Sequence, residues 1–588
     1  MESAPFFKPA SGFRRLRMSR ISGGTAFVMN KKIQIYCRNI GRYVDVEGGT
    51  TLAEIASMPE INLGFSPICA LANNKTEHLG FQVFMPKEIE FLDARSATGR
   101  EVYVRSLCMM VYRALHEIDP SLTIRIEHSI ARGLFCRIFD ADMREFAVTR
   151  AFVDSLLAAM RGLADRDLPF VRHEKRTADV IEIFRRQGLT DKVRLLETVQ
   201  EIYTSYYMLD GLADSFYGPL APSTGMIRVF DIVPWQDGIL MLGPDLADPD
   251  MPSAPVTQEK MFRAFTEHLK FNKVIRVASV GELNRVVERG ETSRLIHVAE
   301  AMHDRLIGRI SDEIRERKEQ GGASIILIAG PSSSGKTTTS KRLAIQLMTN
   351  LMTPKLISLD DYFVNREDTP RDETGDYDYE SLHALDLERF NDDIRALLRG
   401  EEINLPTYSF ELGRRVEKPR PLRLGLNEVL IVEGIHGLNP ELTSAIPQEQ
   451  IFKMYVSALT PLRIDNHNWI STSDTRLLRR IVRDNKYRHT SPEDTIRRWP
   501  SVRRGEEKWI FPFQENADAT FNSSLLFEIG VMKPYAAPLL ETVPHNVPEY
   551  TTAYRLLRFL QYFRPIPETQ VPSTSLLREF LGGSSFHY

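Results

Sequence analysis

From Gly330 to Thr338 the chain reads Gly-Pro-Ser-Ser-Ser-Gly-Lys-Thr-Thr, a set of residues suited to holding a chain of phosphates. Gly330 and Gly335 let the backbone curl until successive N–H groups face a single anion, with Pro331, Ser332, Ser333 and Ser334 forming the arc between them. Lys336 can reach the outer phosphates of a triphosphate, Thr337 offers a hydroxyl to Mg²⁺, and Thr338 continues the helix whose N-terminal end carries partial positive charge. The hydrophobic strand before the loop and the helix after it, with Leu343, Ala344 and Leu347 on one face, are the context such a loop requires. Binding of a nucleoside triphosphate is therefore expected.

Further residues say what is done with it. Leu356–Tyr362 places Asp360 and Asp361 at the C-terminal end of an apolar run, the edge of a parallel sheet where ligands bind. A carboxylate there can take the proton of an acceptor hydroxyl during phosphoryl transfer. Asp360 is the chosen base and Asp361 its near competitor; a simple turn aspartate is the plainer alternative. Glu433 ends a second apolar run, Leu430–Val432, where a carboxylate can hold Mg²⁺ directly or through water. Arg476, Arg479, Arg480 and Arg483 recur at three- and four-residue steps and share a helical face. Such a face is often merely solvated; after a nucleotide site it is better read as a lid that neutralises charge developing on the phosphates. A guanine-reading N-K-x-D downstream and the protein-kinase H-R-D-x-x-x-x-N are both missing, so neither a GTPase nor a protein kinase is indicated.

These side chains need a scaffold, and the length supplies one. At roughly 150 residues per domain, 588 residues suggest about four units. Lys and Arg number 75 against 78 Asp and Glu, a net charge of −3, which argues against a protein coated for wholesale nucleic-acid binding. No apolar run is long enough for a membrane helix, and four scattered cysteines without a C-x-x-C pair fit a reducing cytoplasm. Residues 1–28 read as a flexible basic tail. Alternating strands and a short helix capped by Thr50 or Thr51 make 29–98 a small α+β unit. Residues 99–245 form a second, with helices at Leu107–Leu115, Phe152–Leu163 and Ala178–Glu197. A Pro- and Gly-rich stretch, Gly243–Pro255, opens a linker and helical connector over 246–321. From Ser324, buried strands alternate with helices in the rhythm of a parallel sheet covered on both faces, over 322–530, and 531–588 follows as a helical extension.

Taken in order, GPSSSGKTT, the Asp360 strand end, Asp376-Tyr377-Asp378, Leu405–Phe410, Val432-Glu433-Gly434 and Asp474–Asp484 resemble the uridine kinase/phosphoribulokinase family. The resemblance implies an α/β P-loop kinase fold, with ATP and Mg²⁺ as cofactors and a small-molecule nucleoside as acceptor. It further implies that Asp360 is the base, that Asp378 holds ribose hydroxyls, and that Tyr408 and Phe410 flank the nucleobase. Arg476, Arg479, Arg480 and Arg483 would close over the phosphates, with Arg479 and Arg483 assisting transfer. Pyrimidine nucleoside kinases carry a histidine shortly after the Tyr-x-Phe element, whereas Glu411-Leu412-Gly413-Arg414 stands here. Uridine or cytidine is the expected acceptor; a sugar phosphate or pantothenate is the alternative.

The front half resembles the N-terminal modules of threonyl-tRNA synthetases: a β-grasp TGS unit through Val44–Leu52, then an editing-like unit. In catalytic editing units an H-x-x-x-H and a C-x-x-x-H pair occupy the places where this chain has Met109, Arg113, Phe216 and Leu220, so editing hydrolysis is not expected. His128 reads as structural. The arrangement resembles bacterial nucleoside kinases with an N-terminal TGS domain. It leaves open tRNA binding by the front half, a homo-oligomer, and a rival reading as an RNA-associated, nucleotide-switched regulator.

Overall fold

The computed structural model describes residues 32–373 and 375–587, so the expected tail over 1–28 lies outside the described residues. Next to it, Lys32–Cys37 and Arg42–Glu47 form an antiparallel hairpin, and Glu88–Leu92 returns parallel to the first strand. Cys69–Ala72 and Lys75–Glu77 complete this mixed sheet. Of the two candidate caps, Thr51 starts the helix Leu52–Ala56, in a reciprocal capping box with Glu54 that satisfies two otherwise orphaned amides.

The second unit combines a four-stranded antiparallel sheet, which includes Thr123–Ile130 and Gly133–Phe139, with a three-stranded one. Its helices Ala97–Ile118 and Arg150–Arg166 run longer than their apolar stripes alone suggested. The single helix expected over Ala178–Glu197 is two, Thr177–Arg186 and Thr190–Leu196. The apolar period continues across the break, so periodicity alone joined what the Gln187–Leu189 turn separates. The connector is also more structured than a linker: Glu259–Ile275, Val280–Glu288 and Thr292–Glu319 are helices. The last of these covers one face of the parallel sheet with Ile307, Ile310 and Ile314.

That sheet has five parallel strands in the order Thr353–Ser358, Glu428–Glu433, Ile325–Ala329, Ile451–Ser457 and Ala519–Asn522. Ile325 and Leu327 point to one face, where Phe390, Ile394 and Leu397 meet them; Ile326 and Ile328 point to the other, against Leu343 and Leu347. Successive residues of a strand face opposite ways, so a strand covered on both faces must be apolar throughout. Because the strands run parallel, their C-terminal ends lie along one edge: Ile328 and Ser358 both register with Glu433. The residues expected to do chemistry come together on that edge.

Among the described residues no helix is long and apolar enough to cross a membrane, and all four cysteines are buried and unpaired.

Candidate active site

The loop after Ile325–Ala329 is held by contacts on its outer side. A Cβ on Gly330 would stand 2.0 Å from the Val456 carbonyl oxygen, so only glycine fits that approach. Gly335, at φ +86°, turns the chain into the helix Lys336–Thr349. Arg476 donates to the Ser332 carbonyl at 3.0 Å, Arg479 to the Ser333 carbonyl at 3.3 Å, and the Ser523 hydroxyl to the Ser334 carbonyl at 2.5 Å. In a planar trans peptide the N–H points opposite the C=O. Anchoring the Ser332 and Ser334 carbonyls outward therefore turns the amides of Ser333 and Gly335 toward the hollow of the loop. The hydroxyls of Ser333 and Ser334 are buried without a hydrogen-bond partner. Lys336 lies across it, its Nζ 3.2 Å from the Pro331 carbonyl.

Three acids stand at the strand ends beside the loop. The Thr337 hydroxyl donates to Glu433 at 3.4 Å, and Ser358 does so at 3.2 Å. Burial pushes the Glu433 carboxyl up to about 7, with the charge of Asp360 adding to the effect. Hard oxygen donors and a carboxylate whose ionisation needs a counter-charge fit Mg²⁺. Asp360 is exposed to solvent at the end of its strand, beside Ser358 and Glu433. The surrounding protein raises its carboxyl, while Lys336, Arg488 and Arg483 pull it back. Asp361 pairs instead with Arg420 at 2.9 Å, whereas the charge of Lys336 acts on Asp360, which separates the two competing aspartates.

The arginine helix, Thr472–Arg488, differs from the expected lid. Arg476 and Arg479 are 1% and 0% exposed. Arg476 forms a two-pronged pair with Glu506 at 2.5 and 2.8 Å; Arg479 pairs with Glu528 at 2.5 Å. Buried, paired and tied to the loop's carbonyls, these two are struts of the phosphate loop rather than mobile arms. Their sequence spacing could not reveal this, because the acids that bury them come from later helices. Arg480 donates to the Ser332 hydroxyl at 2.8 Å. Arg483 pairs with Asp484 at 2.8 Å and acts electrostatically on Asp360 together with Arg488, which sequence reasoning passed over.

Two further crevice residues carried no sequence signal. Glu380 has one buried carboxylate oxygen without a partner, and burial pushes its carboxyl up to about 7; Lys336, Arg480 and Asp360 all act on it. His436, just past Glu433, is buried and its imidazole pushed down to about 3 by that burial. Asp378 accepts the Glu380 N–H at 3.2 Å, closing a local turn. Tyr408 and Phe410 lie with Phe363 in an aromatic trio, ring centroids 5.1–5.6 Å apart. Tyr408 is 8% exposed and belongs to the core, whereas Phe410, at 55%, presents its ring.

In the front half Met109, Phe216 and Leu220 are core residues, and Arg113 pairs with Asp210 at 2.6 Å. His128 is buried and stacked on Phe265 at 4.8 Å, with its imidazole pushed down to about 4, consistent with a structural part. The front half grips the segment leading into the arginine helix. Lys192 bridges Asp214 at 2.7 Å and Asp465 at 2.9 Å, and His467 meets Asp214 at 2.7 Å.

A phosphate loop, strand-end acids and an arginine helix around a parallel sheet define a P-loop kinase module. Residues 325–526 match the model of the phosphoribulokinase / uridine kinase family. A uridine kinase of Halobacterium salinarum is 30% identical over 193 residues, 32% of this chain and 76% of its own length. One from Brevibacillus brevis is 28% identical over 34% of this chain and 84% of its own. A solved structure described as a possible uridine kinase from Bacillus stearothermophilus is 20% identical, covers 34% of this chain and 89% of that one, and has a TM-score of 0.24. The chain belongs to the phosphoribulokinase/uridine kinase family.

Proposed function

We propose that the chain is an ATP-dependent nucleoside kinase that phosphorylates the 5′-hydroxyl of uridine or cytidine. The observation that carries this reading is the placement of Asp360 and Lys336 in one crevice, with Asp361 withdrawn to Arg420. ATP lies with its phosphates on the loop amides and Lys336. The acceptor's 5′-oxygen attacks the γ-phosphorus, its proton passes to Asp360, and the bond from that phosphorus to the β,γ-bridging oxygen breaks to release ADP. The Asp360 carboxyl, raised by the surrounding protein, supports its role as proton acceptor. Arg480, Arg483 and Arg488 supply positive charge beside the transferred group, and Glu380 and Asp378 line the acceptor side. Thr337 and Glu433 would hold Mg²⁺, which when bound neutralises phosphate charge. Phe410 offers a stacking face to the base. The front half is read as a TGS-like and an editing-like unit whose contacts with residues 463–468 brace the arginine helix.

A panel of nucleosides assayed for ADP release tests this, with Lys336→Ala as the control. Uridine and cytidine should lead the panel. Salt-dependent tRNA binding, with no acceptor giving ADP, would instead favour a nucleotide-switched RNA regulator.

A further inference from the structure

The C-terminal segment Val571–Gly583 crosses the nucleotide site. The Glu579 carboxylate accepts the backbone N–H of Thr338 at 3.2 Å and the Thr338 hydroxyl at 2.6 Å. Thr338 is the third residue of the helix Lys336–Thr349, so its amide is among those with no partner inside the helix. In a phosphate loop such amides are what phosphate oxygens take. Glu579 thus supplies a negative oxygen where a bound nucleotide presents one. Its charge also acts on Glu433 and Lys341 at the same end of the helix.

The segment is built to hold this contact. Leu576 fills the space above Gly335, where a Cβ would lie 2.7 Å from its Cδ1. Leu577, Phe580 and Leu581 are buried, and Phe580 lies 5.3 Å from the Arg479 guanidinium. Arg578 donates to the carbonyls of Glu568, Val571 and Gly582, curling the chain on itself, and Lys486 of the arginine helix donates to the Leu581 carbonyl. One short curl therefore bridges the loop helix and the arginine helix.

We propose that this segment is an autoinhibitory latch: Glu579 stands in for a nucleotide phosphate on the Thr338 amide, and nucleotide binding displaces it. The inference rests on the reading of the loop as an ATP site. Two negative groups cannot share one amide and hydroxyl, so closure of the latch lowers the apparent affinity for ATP by the fraction of molecules left open.

The test compares full-length wild type with Glu579→Gln, which keeps the shape and removes the charge. ATP dissociation constants from calorimetry should tighten about tenfold in the variant, as for a latch closed in about nine molecules of ten. Loss of one negative charge near the site would by itself favour ATP, so a second measurement uses the unaltered protein. Trypsin cleavage after Arg578 should quicken when ATP is added, because the displaced segment loses its hooks. Affinity within about twofold of wild type or weaker, or cleavage that ATP leaves unchanged or slows, overturns the latch while leaving the ATP site standing. Failure of ATP to bind either protein sinks the ATP reading and the latch together.

Discussion

Arg476 donates to the carbonyl of Ser332 across 3.0 Å from the same nitrogen that Glu506 holds, and Glu506 also accepts the Ser332 N–H at 3.0 Å. The arginine aims a peptide: fixing that carbonyl outward turns the following amide into the phosphate hollow. A cationic face read as a lid is, at this position, part of the foundation.

Arg476→Ala leaves the buried Glu506 with Arg503, at 3.0 Å, in place of its two-pronged partner and should cost about 3 kcal/mol in urea unfolding, the low end for a broken buried pair. Replacing the pair together, as Arg476→Met with Glu506→Leu, should recover most of that stability. It should not recover ATP affinity, since the Ser332 carbonyl remains unanchored. Recovery of both by the double variant would refute the aiming role.

Asp360→Asn should lower the rate of nucleoside-dependent ADP release by ~10²–10⁴-fold, the usual contribution of a positioned base. ATP binding measured by calorimetry should persist. Asp361→Asn removes a partner of Arg420 and should act on stability more than on turnover. A reversed ranking of the two in turnover would reassign the base.

The contribution of two buried carboxyls to the pH dependence of stability carries a definite sign. Glu433 and Glu380 are pushed up to about 7 in the folded chain, above the ordinary carboxyl value of 4.5. At these two groups the folded state then binds more protons than the unfolded one between those values, so their contribution to stability falls as pH rises through that window and levels above it. Buried imidazoles such as His128 and His436, pushed down to about 4 and 3, contribute with the opposite sign below about pH 6.5. The carboxyl contribution is therefore read as the melting temperature of the nucleotide-free wild type minus that of Glu433→Gln, a difference that should decline from pH 5 to 8. Added Mg²⁺-ATP should flatten that decline, because positive charge favours the ionised form of Glu433.

Phe410→Ala should raise the KM for the nucleoside while leaving the melting temperature nearly unchanged, because its ring is exposed. Tyr408→Ala empties a core position and should cost about 3–5 kcal/mol, the range for buried aromatic truncations. Equal effects of the two on KM would show that both rings contact the base.

The phosphate loop, the strand before it, the helix after it and the acids at the strand ends were legible in the order of residues. Each depends on local rules: glycine at a tight curl, apolar runs for strands buried on both sides, a carboxylate where such a run stops. Which of Asp360 and Asp361 faces the crevice was not local, because Arg420, distant in the chain, claims one of them. The same holds for Arg476 and Arg479, whose partners Glu506 and Glu528 lie outside the arginine helix, for Glu380 and Arg488, which no motif marks, and for Glu579, whose contact with Thr338 no local pattern gives. Spacing along a helix shows which residues share a face; what that face meets depends on how distant segments pack. The sequence by itself therefore determined the nucleotide-binding chemistry. Tertiary packing decided which charges are free to act and which are held, since a charge can be buried only where a distant partner is brought to meet it.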